Sequence, residues 1–263
     1  KTLKSSRVTL FSGVNTLYNA LVNHPQIREV DFSHLVSAVA GGMAMQSSVA
    51  RKWKDVAGVA ILEGYGLSET SPVVTLNTPD LVEFSGTIGY PISSTEVAIR
   101  NDAGQDVAAG ETGELCVRGP QVMAGYWQRQ DETARVMTPD GFFRTGDVAV
   151  MLPDGQFKIV DRLKDMILVS GFNVYPNEVE EEIAAHPGVL EVAVIGVPDD
   201  ASGETVAAYI VRKDPTLTVE DVRAFCRERL TGYKVPRHVH FRESLPKTNV
   251  GKLLRRALRD EAV

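Results

Sequence analysis

The sequence lacks three features that would place it in a specialised class of protein. No uncharged apolar run approaches the ~20 residues that a membrane-spanning helix needs, so a transmembrane protein is excluded. Only two cysteines occur, Cys116 and Cys226, and their wide separation fits no disulfide framework and favours a reducing compartment. Basic residues number 28 against 34 acidic ones, and the net charge of −6 argues against a general nucleic-acid-binding protein.

What remains is the composition of an ordinary folded chain. Hydrophobic residues make up 43% and charged residues 24%, close to the averages of globular proteins, so intrinsic disorder is excluded. A length of 263 residues suggests one large domain or two smaller ones. The chain begins with Lys1 rather than Met and shows no signal-peptide pattern. We therefore expect a piece of a longer, cytoplasmic protein.

Three patterns follow one another along the chain. The first alternates helices and strands as in a parallel α/β sheet, with helices predicted at 14–22 and 47–56 and strands at 35–40 and 59–62. Between about residues 86 and 160, short apolar runs alternate with turn signals, which predicts antiparallel strands in a small barrel or sheet. The remainder mixes strands and helices, as an α+β unit of about 100 residues does.

The elements predicted in this last part are strands at 166–169, 189–197 and 205–211, and helices at 176–185, from Thr218 onward, and around 253–258. Thr218 and Asp221 have the spacing of a capping box. We interpret Arg255, Arg256 and Arg259 as a solvated helix face. His238 and His240 alternate on one strand face, but no third ligand is near them in sequence, so a metal site is not expected there.

Four segments combine glycine or charge with polar side chains where a plain core would not. They are 63–70 (EGYGLSET), 143–147 (FRTGD), 161–165 (DRLKD) and 246–252 (PKTNVGK). In the first, Tyr65 offers an aromatic face for a base, Ser68 and Thr70 offer hydroxyls, and Glu69 offers the hard oxygen ligand that Mg²⁺ prefers. The alternative interpretation is a turn that carries an exposed glutamate.

The other three segments supply charge. The carboxylate of Asp147 can accept two hydrogen bonds at once, as a ribose diol requires. The planar guanidinium of Arg162 could clamp a phosphate or a sugar. Lys252 follows a glycine on a loop and could reach into a cleft as a mobile charge. Taken alone, each of these segments is more often structural: 143–147 a β-turn, 161–165 a solvated charged linker, and 246–252 a loop with a surface lysine before a helix.

The order and separation of these segments resemble those of the adenylate-forming acyl-CoA synthetases, and most closely the bacterial long-chain fatty acid–CoA ligases. The matching stretches are 64–70, 113–127 (GELCVRGPQVMAGYW), 143–147, 161–180 (DRLKDMILVSGFNVYPNEVE) and 246–252. The run 140–164 is similar to the signature segment of fatty acyl-CoA synthetases. One departure is the segment 41–44 (GGMA), where many relatives have Gly-Gly-Ala-Pro.

The resemblance implies an α/β and α+β fold. Residues 1–163 would be the end of a large N-terminal adenylation domain, with a β-rich, barrel-like subdomain at about 86–160. Residues 164–263 would be a compact, mobile C-terminal domain. The family's Ser/Thr/Gly-rich phosphate loop and most of the N-terminal domain would lie upstream of Lys1, so we expect the isolated segment to be inactive.

The resemblance also implies a reaction in two steps. A carboxylic acid and Mg·ATP give an acyl-adenylate and pyrophosphate, and the thiol of coenzyme A then displaces AMP. The implied substrates and cofactors are a long-chain fatty acid, ATP, Mg²⁺ and coenzyme A, with no nucleic acid. Peripheral contact with the inner membrane and a homodimer are further expectations from the family.

The roles implied for individual residues follow the motifs. Ser68 would contact the phosphate or the acyl carboxylate, Glu69 would hold Mg²⁺, and Lys252 would bridge the substrate carboxylate and the α-phosphate. Lys164 or Asp165 would be the hinge of the C-terminal domain, and Gly171 would line the coenzyme A tunnel. The nucleotide would be bound by Gly41, Gly42, Tyr65, Gly66, Asp147 and Arg162.

Two groups of alternatives stay open at this stage. The first is another adenylate-forming ligase: one for medium-chain or aryl acids, an amino-acid-activating domain of a peptide synthetase, or a luciferase-like enzyme. The second is a non-catalytic module whose α+β domain serves as a docking surface.

Overall fold

The computed structural model describes residues 2–262. The chain divides into two compact units, which we call unit 1 (Lys1–Val160) and unit 2 (Asp161–Val263). The domain boundary after residue 163 that the resemblance implies stays a prediction. Within the described range, no helix is both long and apolar enough to cross a membrane.

Unit 1 begins as a parallel sheet with helices packed against it. Its helices are α1 (Thr2–Ser5), α2 (Asn15–Val22) and α3 (Ser47–Ala57), and its strands are β1 (Leu10–Gly13), β2 (Ser37–Gly41), β3 (Ile61–Gly66), β4 (Val73–Leu76) and β5 (Tyr90–Pro91). The strands lie in the order β1-β2-β3-β4-β5; the first three are parallel, and β4 and β5 join them antiparallel. The predicted α/β pattern is therefore present, and parallel strands end together at one edge.

The core of this first sheet is built around one tryptophan. Trp53 of α3 is fully buried, and the rings of Phe11, Tyr18 and Phe32 surround it with centroid distances of 4.8 to 5.5 Å. α3 ends at Gly58, whose φ of +75° gives the left-handed cap that glycine adopts without strain.

The second part of unit 1 is the predicted β-rich region. It contains β6 (Glu96–Arg100), β7 (Thr112–Arg118), α4 (Gln130–Val136), β8 (Phe143–Met151) and most of β9 (Phe157–Arg162), and the strands form a four-stranded sheet in the order β6-β7-β8-β9. The last two residues of β9, Asp161 and Arg162, belong to unit 2. The pairs β6–β7 and β7–β8 are antiparallel, as the turn signals predict. Leu115, Val117 and Ala149 are fully buried in its core.

Unit 2 is an α+β layer with helices on both faces of one sheet. Its elements are β10 (Ile167–Val169), β11 (Phe172–Val174), α5 (Pro176–Ala184), β12 (Val189–Asp199), β13 (Gly203–Arg212), α6 (Val219–Arg227), β14 (His238–Arg242) and α7 (Arg255–Ala262). Successive β12 residues point to opposite faces. Val192 and Val194 pack in the cluster that contains α5 and α6, whereas Ala193 and Ile195 pack with Leu258 of α7.

Most predicted elements of unit 2 are present, and α6 begins with the predicted capping box of Thr218 and Asp221. The final helix differs, because it starts at Arg255 and excludes Leu253 and Leu254. Leu253 instead forms an antiparallel bridge with Lys247, and the Leu254 amide donates to the Pro246 carbonyl at 2.9 Å. These backbone hydrogen bonds replace the helical bonds that the spacing of the leucines predicts.

Candidate functional site

The first polar segment begins on a strand rather than after it. Residues 63–66 are the end of β3, where the sequence predicts a strand ending at Leu62, and Ser68–Thr70 form a single turn of 3-10 helix. The Leu67 amide donates to the Pro72 carbonyl at 3.0 Å. A Cβ atom on Gly66 would lie 1.8 Å from the Pro72 carbonyl oxygen, so only glycine fits at this position.

The Thr70 side chain is part of the turn itself. Its hydroxyl accepts from the Leu67 amide at 3.0 Å and donates to the Pro72 carbonyl at 2.6 Å, and the residue is fully buried. Thr70 therefore fixes the turn rather than offering a hydroxyl to a ligand. Ser68, by contrast, is exposed, and Glu69 is half-buried.

Tyr65 and Asp147 meet although they are far apart in sequence. The Tyr65 hydroxyl donates a hydrogen bond of 2.5 Å to Asp147 Oδ2. Asp147 lies on β8, is 4% exposed, and follows Gly146, whose φ is +74°. Two groups that the resemblance assigns to the base and the ribose are thus neighbours, and Tyr65 restricts the orientation of the carboxylate.

Glu69 has a partner that sequence reasoning missed. The Tyr126 hydroxyl donates to Glu69 Oε1 at 3.0 Å, and the Met123 amide donates to the Glu69 carbonyl at 2.8 Å. Burial, followed by the hydrogen bond to Glu69, raises the pKa of Tyr126. Tyr126 belongs to the stretch 113–127 that matches the family, and this match is the one sequence feature that could have pointed to it. The pair fixes where the Glu69 carboxylate points.

The Glu69 site fits a magnesium ion that is shared with a substrate. Residues 2–262 contain no group of three or more His, Cys, Asp or Glu side chains that could form an all-protein metal site. Mg²⁺ usually binds through one or two carboxylates together with waters and substrate phosphates. A carboxylate has about four acceptor positions, so the bond from Tyr126 leaves Glu69 able to ligate an ion.

Gly41 and Gly42 lie at the end of β2, the parallel strand next to β3. Gly41 ends β2 and pairs with Gly64 of β3, and Gly42 has a φ of +79° in the turn that follows. The structure thus brings Gly41 beside the first polar segment at the same edge of the sheet.

The predicted hinge residues differ in their environment. Lys164 is exposed, whereas Asp165 is 7% exposed and accepts a hydrogen bond of 2.5 Å from Arg259. Arg162, the residue assigned to the ribose and phosphate, is exposed as well. Both Asp165 and Arg259 belong to unit 2. The ion pair fixes Asp165 within unit 2, and Lys164 is the more accessible of the two hinge candidates. Gly171, with a φ of +85°, is exposed in the turn between β10 and β11.

Lys252 lies on a closed loop between β14 and α7, which we call the lysine loop (residues 247–254). The Thr248 amide donates to the Lys252 carbonyl at 2.8 Å, and the Lys252 amide donates to Thr248 Oγ1 at 3.2 Å. Gly251, with a φ of +80°, donates to the Thr248 carbonyl at 2.9 Å. Lys252 itself is half-buried. The loop therefore has a defined backbone rather than that of an open surface segment.

The interpretation of the last helix as a solvated arginine face is wrong for two of its three arginines. Arg255 donates to Glu180 Oε2 at 2.7 Å and Arg259 pairs with Asp165, and both carboxylates are buried. Arg256 alone is solvated, with a side chain that is 85% exposed. Burial raises the pKa of Glu180, and the attraction of Arg255 offsets this only in part.

The remaining candidates are two histidines and two cysteines. The rings of His238 and His240 are stacked side by side on β14, with their centroids 6.4 Å apart. Cys116 and Cys226 are free and buried, and burial raises the pKa of each thiol to about 11.

Residues 1–127 match the sequence model described as AMP-binding enzyme, and residues 178–252 match that of the AMP-binding enzyme C-terminal domain. The chain is 57% identical over 263 residues to the long-chain fatty acid–CoA ligase of Yersinia pestis and 55% identical over 262 residues to that of Salmonella typhimurium.

Each alignment includes 100% of this chain but only 47% and 46% of the two relatives, so the chain spans about half the length of the curated relatives it matches. Among solved structures, ATP-bound MatB from Rhodopseudomonas palustris superposes with a TM-score of 0.91 at 34% identity, and the match covers 99% of this chain and 52% of MatB.

Proposed function

The chain belongs to the AMP-binding enzyme family, and we propose that the protein containing it is an ATP-dependent ligase that activates a long-chain fatty acid as an acyl-adenylate and transfers it to coenzyme A. The observation that carries the adenylation part is the 2.5 Å contact between Tyr65 and Asp147, which joins an aromatic ring on β3 of the first sheet to a carboxylate on β8 of the second. The choice of a long acyl chain rests on the relatives, two of which are named long-chain fatty acid–CoA ligases.

Unit 1 supplies the groups that bind and orient the nucleotide. Asp147 accepts hydrogen bonds from the two ribose hydroxyls, and the Tyr65 hydroxyl keeps this carboxylate in one orientation while its ring stacks on the base. Glu69, fixed by Tyr126, would hold Mg²⁺ together with the substrate phosphates. When bound, Mg²⁺ neutralises part of the negative charge of the phosphates.

Unit 2 supplies the cation for the first step. An oxygen of the fatty acid carboxylate forms a bond to the α-phosphorus while the bond from that phosphorus to pyrophosphate breaks. Two anions must approach each other in this step, and the ammonium of Lys252 lowers the cost of their repulsion. Arg162 donates to the ribose and phosphate.

In the second step the sulfur of coenzyme A bonds to the acyl carbon, AMP leaves with the bonding electrons, and the thiol proton passes to solvent. Gly171 is the contact that we propose for coenzyme A, and Lys164 is the hinge about which unit 2 moves between the steps. Because Gly171 has no side chain, it leaves room for a narrow pantetheine arm.

Exchange of labelled pyrophosphate into ATP tests the proposal with the full-length protein. We expect exchange that requires both Mg²⁺ and hexadecanoate, followed by thioester formation when coenzyme A is added. Octanoate, an aryl acid such as ferulate, and a mixture of amino acids provide matched comparisons. Preference for one of these would favour the corresponding alternative ligase, and binding of AMP without exchange for any acid would favour a non-catalytic module.

A second measurement uses the polypeptide 1–263 alone. Because it spans about half the length of its curated relatives, we expect it to show no exchange with any fatty acid. Measurable exchange would contradict the view that activity needs further segments of the protein.

A further inference from the structure

The C-terminal end of the lysine loop is anchored by a buried ion pair of the residue that follows it, Arg255. Arg255, three residues after Lys252, donates to Glu180 of α5 with two nitrogens: Nε reaches Oε1 at 3.1 Å, and Nη2 reaches Oε1 at 2.8 Å and Oε2 at 2.7 Å. Nη2 also donates to Asn177 Oδ1 at 3.0 Å. Glu180 is only 6% exposed and accepts a further bond from the Val194 amide at 2.8 Å. A forked contact of this kind fixes direction as well as distance.

The other end of the loop is anchored as well. Lys247 Nζ lies 2.7 Å from Glu191 Oε1, so the loop is tied to β12 at its start and to α5 at its end. Between the two anchors, Asn249 and Val250 are exposed. The position of Lys252 on unit 2 therefore depends on these anchors and on the hydrogen bonds of the loop itself.

The two anchors differ in how firmly they hold. The Lys247 pair uses a flexible side chain that is 32% exposed, and such pairs contribute little. The Arg255 pair is largely buried. A buried pair is weak evidence for stability, because apolar residues of the same volume often pack as well. Apolar residues in place of Glu180 and Arg255 would not fix the orientation of the lysine loop as the hydrogen bonds of the ion pair do.

We propose that Glu180 and Arg255 are positioning residues, which fix the lysine loop so that the Lys252 ammonium is placed for formation of the acyl-adenylate. This inference rests on the proposed function. Arg259, paired with Asp165, repeats the arrangement one helical turn further along α7 and holds the helix to the hinge segment of unit 2. The bond from Arg255 thus acts through the backbone of the loop and not through contact with substrate.

The test compares two neighbouring arginines in the full-length protein. Arg255→Met removes the buried pair, and Arg256→Met removes an exposed arginine of the same helix turn. We expect Arg255→Met to lower the turnover of pyrophosphate exchange by about 10–10²-fold, the scale for misplacement of a catalytic group by about 1 Å. The KM for ATP and the rate of thioester formation from preformed acyl-adenylate should stay near the wild-type values. Arg256→Met should leave all three unchanged.

Two further variants keep the test informative if Arg255→Met folds poorly. Arg255→Lys keeps the charge but loses the fork, and we expect a smaller loss confined to the same step. Glu180→Gln/Arg255→Met should be no slower than Arg255→Met alone, because the two residues act as one unit. An equal fall in both half-reactions would mean a general structural role and would overturn the inference, as would unchanged exchange in Arg255→Met.

Hydrogen exchange gives a readout that does not depend on activity. The amides of Thr248, Gly251 and Lys252 are hydrogen-bonded within the loop, and the amide of Leu254 donates to the carbonyl of Pro246, directly before it. We expect Arg255→Met, but not Arg256→Met, to increase deuterium uptake of a peptide covering 247–254 about tenfold without changing β12 and β13. Unchanged uptake would overturn the inference. If the wild-type protein shows no pyrophosphate exchange, the proposed function fails, and so does the catalytic part of this inference. If the wild-type protein shows exchange but Arg255→Met causes no selective loss of it, only the inference is overturned.

Discussion

The two units hold their buried carboxylates in different ways. In unit 1, Asp147 accepts a hydrogen bond from the hydroxyl of Tyr65, which is a neutral donor. In unit 2, Glu180 and Asp165 are contacted by the guanidinium groups of Arg255 and Arg259. A hydroxyl uses one acceptor position of a carboxylate, whereas a guanidinium fork uses two and neutralises the charge.

This difference separates binding groups from supporting groups. A carboxylate oriented by a hydroxyl keeps its charge and its capacity to accept hydrogen bonds from a ligand. A carboxylate in a buried ion pair is committed to holding two elements together. Burial and charge alone therefore do not identify a binding residue, and the chemistry of the partner does. Unit 1 holds the acidic groups expected to bind a ligand, and unit 2 holds acidic groups that support its own lysine.

Removal of the unit 2 cation should have the largest effect. Lys252→Ala in the full-length protein should slow acyl-adenylate formation by about 10²–10³-fold, the scale for one lost charge-stabilising donor. Binding of AMP and the thioester step from preformed acyl-adenylate should be nearly unchanged, and both can be measured separately. Lys213→Ala, an exposed lysine of the same unit, is the charge-matched control. An equal loss in both steps would remove the assigned role.

The corresponding change in unit 1 should affect binding rather than one step. Asp147→Asn keeps the shape of the side chain but removes its charge, and hydrogen bonds to charged groups contribute about 1.5–3 kcal/mol. We expect AMP to bind about ten- to a hundredfold more weakly by calorimetry. Asp154→Asn, in an exposed turn of the same unit, should bind AMP as wild type does. Unchanged affinity in Asp147→Asn would place the ribose elsewhere.

Two tyrosines allow a finer division within unit 1. Tyr65→Phe keeps the ring but loses the donor to Asp147, and a single neutral hydrogen bond contributes about 0.5–1.5 kcal/mol, so AMP affinity should fall about two- to tenfold. Tyr126→Phe frees Glu69 and should instead raise the Mg²⁺ concentration needed for half-maximal exchange. A change in metal requirement in Tyr65→Phe, or in metal-free AMP binding in Tyr126→Phe, would contradict this division.

The sequence identifies the segments better than it identifies their contacts. The order of the four polar segments is readable because each combines glycine or charge with polar side chains. The bond between Tyr65 and Asp147 joins residues 82 positions apart, and no periodicity connects them. The Tyr126 bond to Glu69 spans 57 positions and was missed for the same reason.

The errors in the last helix have one physical cause. Leu253, Leu254 and Leu258 have helical spacing, and the arginines between them are typical of a solvated face. Local spacing cannot reveal that Leu253 bridges back to Lys247 or that Glu180, 75 positions before Arg255, is buried beneath it. In the first case a bridge within the loop, and in the second a contact across 75 positions, overrides the preference that helical spacing predicts.

The smallest expected effect is on how the stability of the fold depends on pH in the acid range, and this dependence should have opposite signs in the two units. In unit 1, hydrogen bonding to Arg100 holds the pKa of Asp140 well below its usual range. That carboxylate favours folding above its ordinary pKa, and the contribution is lost as the pH falls through the lowered value. In unit 2, burial raises the pKa of Glu180 and of Asp161. Folding then takes up protons, so the contribution of these carboxyl groups to the free energy of unfolding decreases as the pH rises above about 4.3, the ordinary pKa of glutamate.

Two difference measurements isolate these opposite signs. The stability of wild type minus that of Asp140→Asn should grow as the pH rises from the lowered pKa to the ordinary pKa of aspartate and then stay constant. The difference between wild type and Glu180→Gln should instead shrink as the pH rises above about 4.3. Both tryptophans, Trp53 and Trp127, lie in unit 1, so their fluorescence follows unit 1 during urea unfolding, and deuterium uptake by β12 and β13 follows unit 2. A Glu180→Gln difference that grows with pH would mean that the attraction of Arg255 outweighs burial, and the contrast between the two units would then be one of geometry alone.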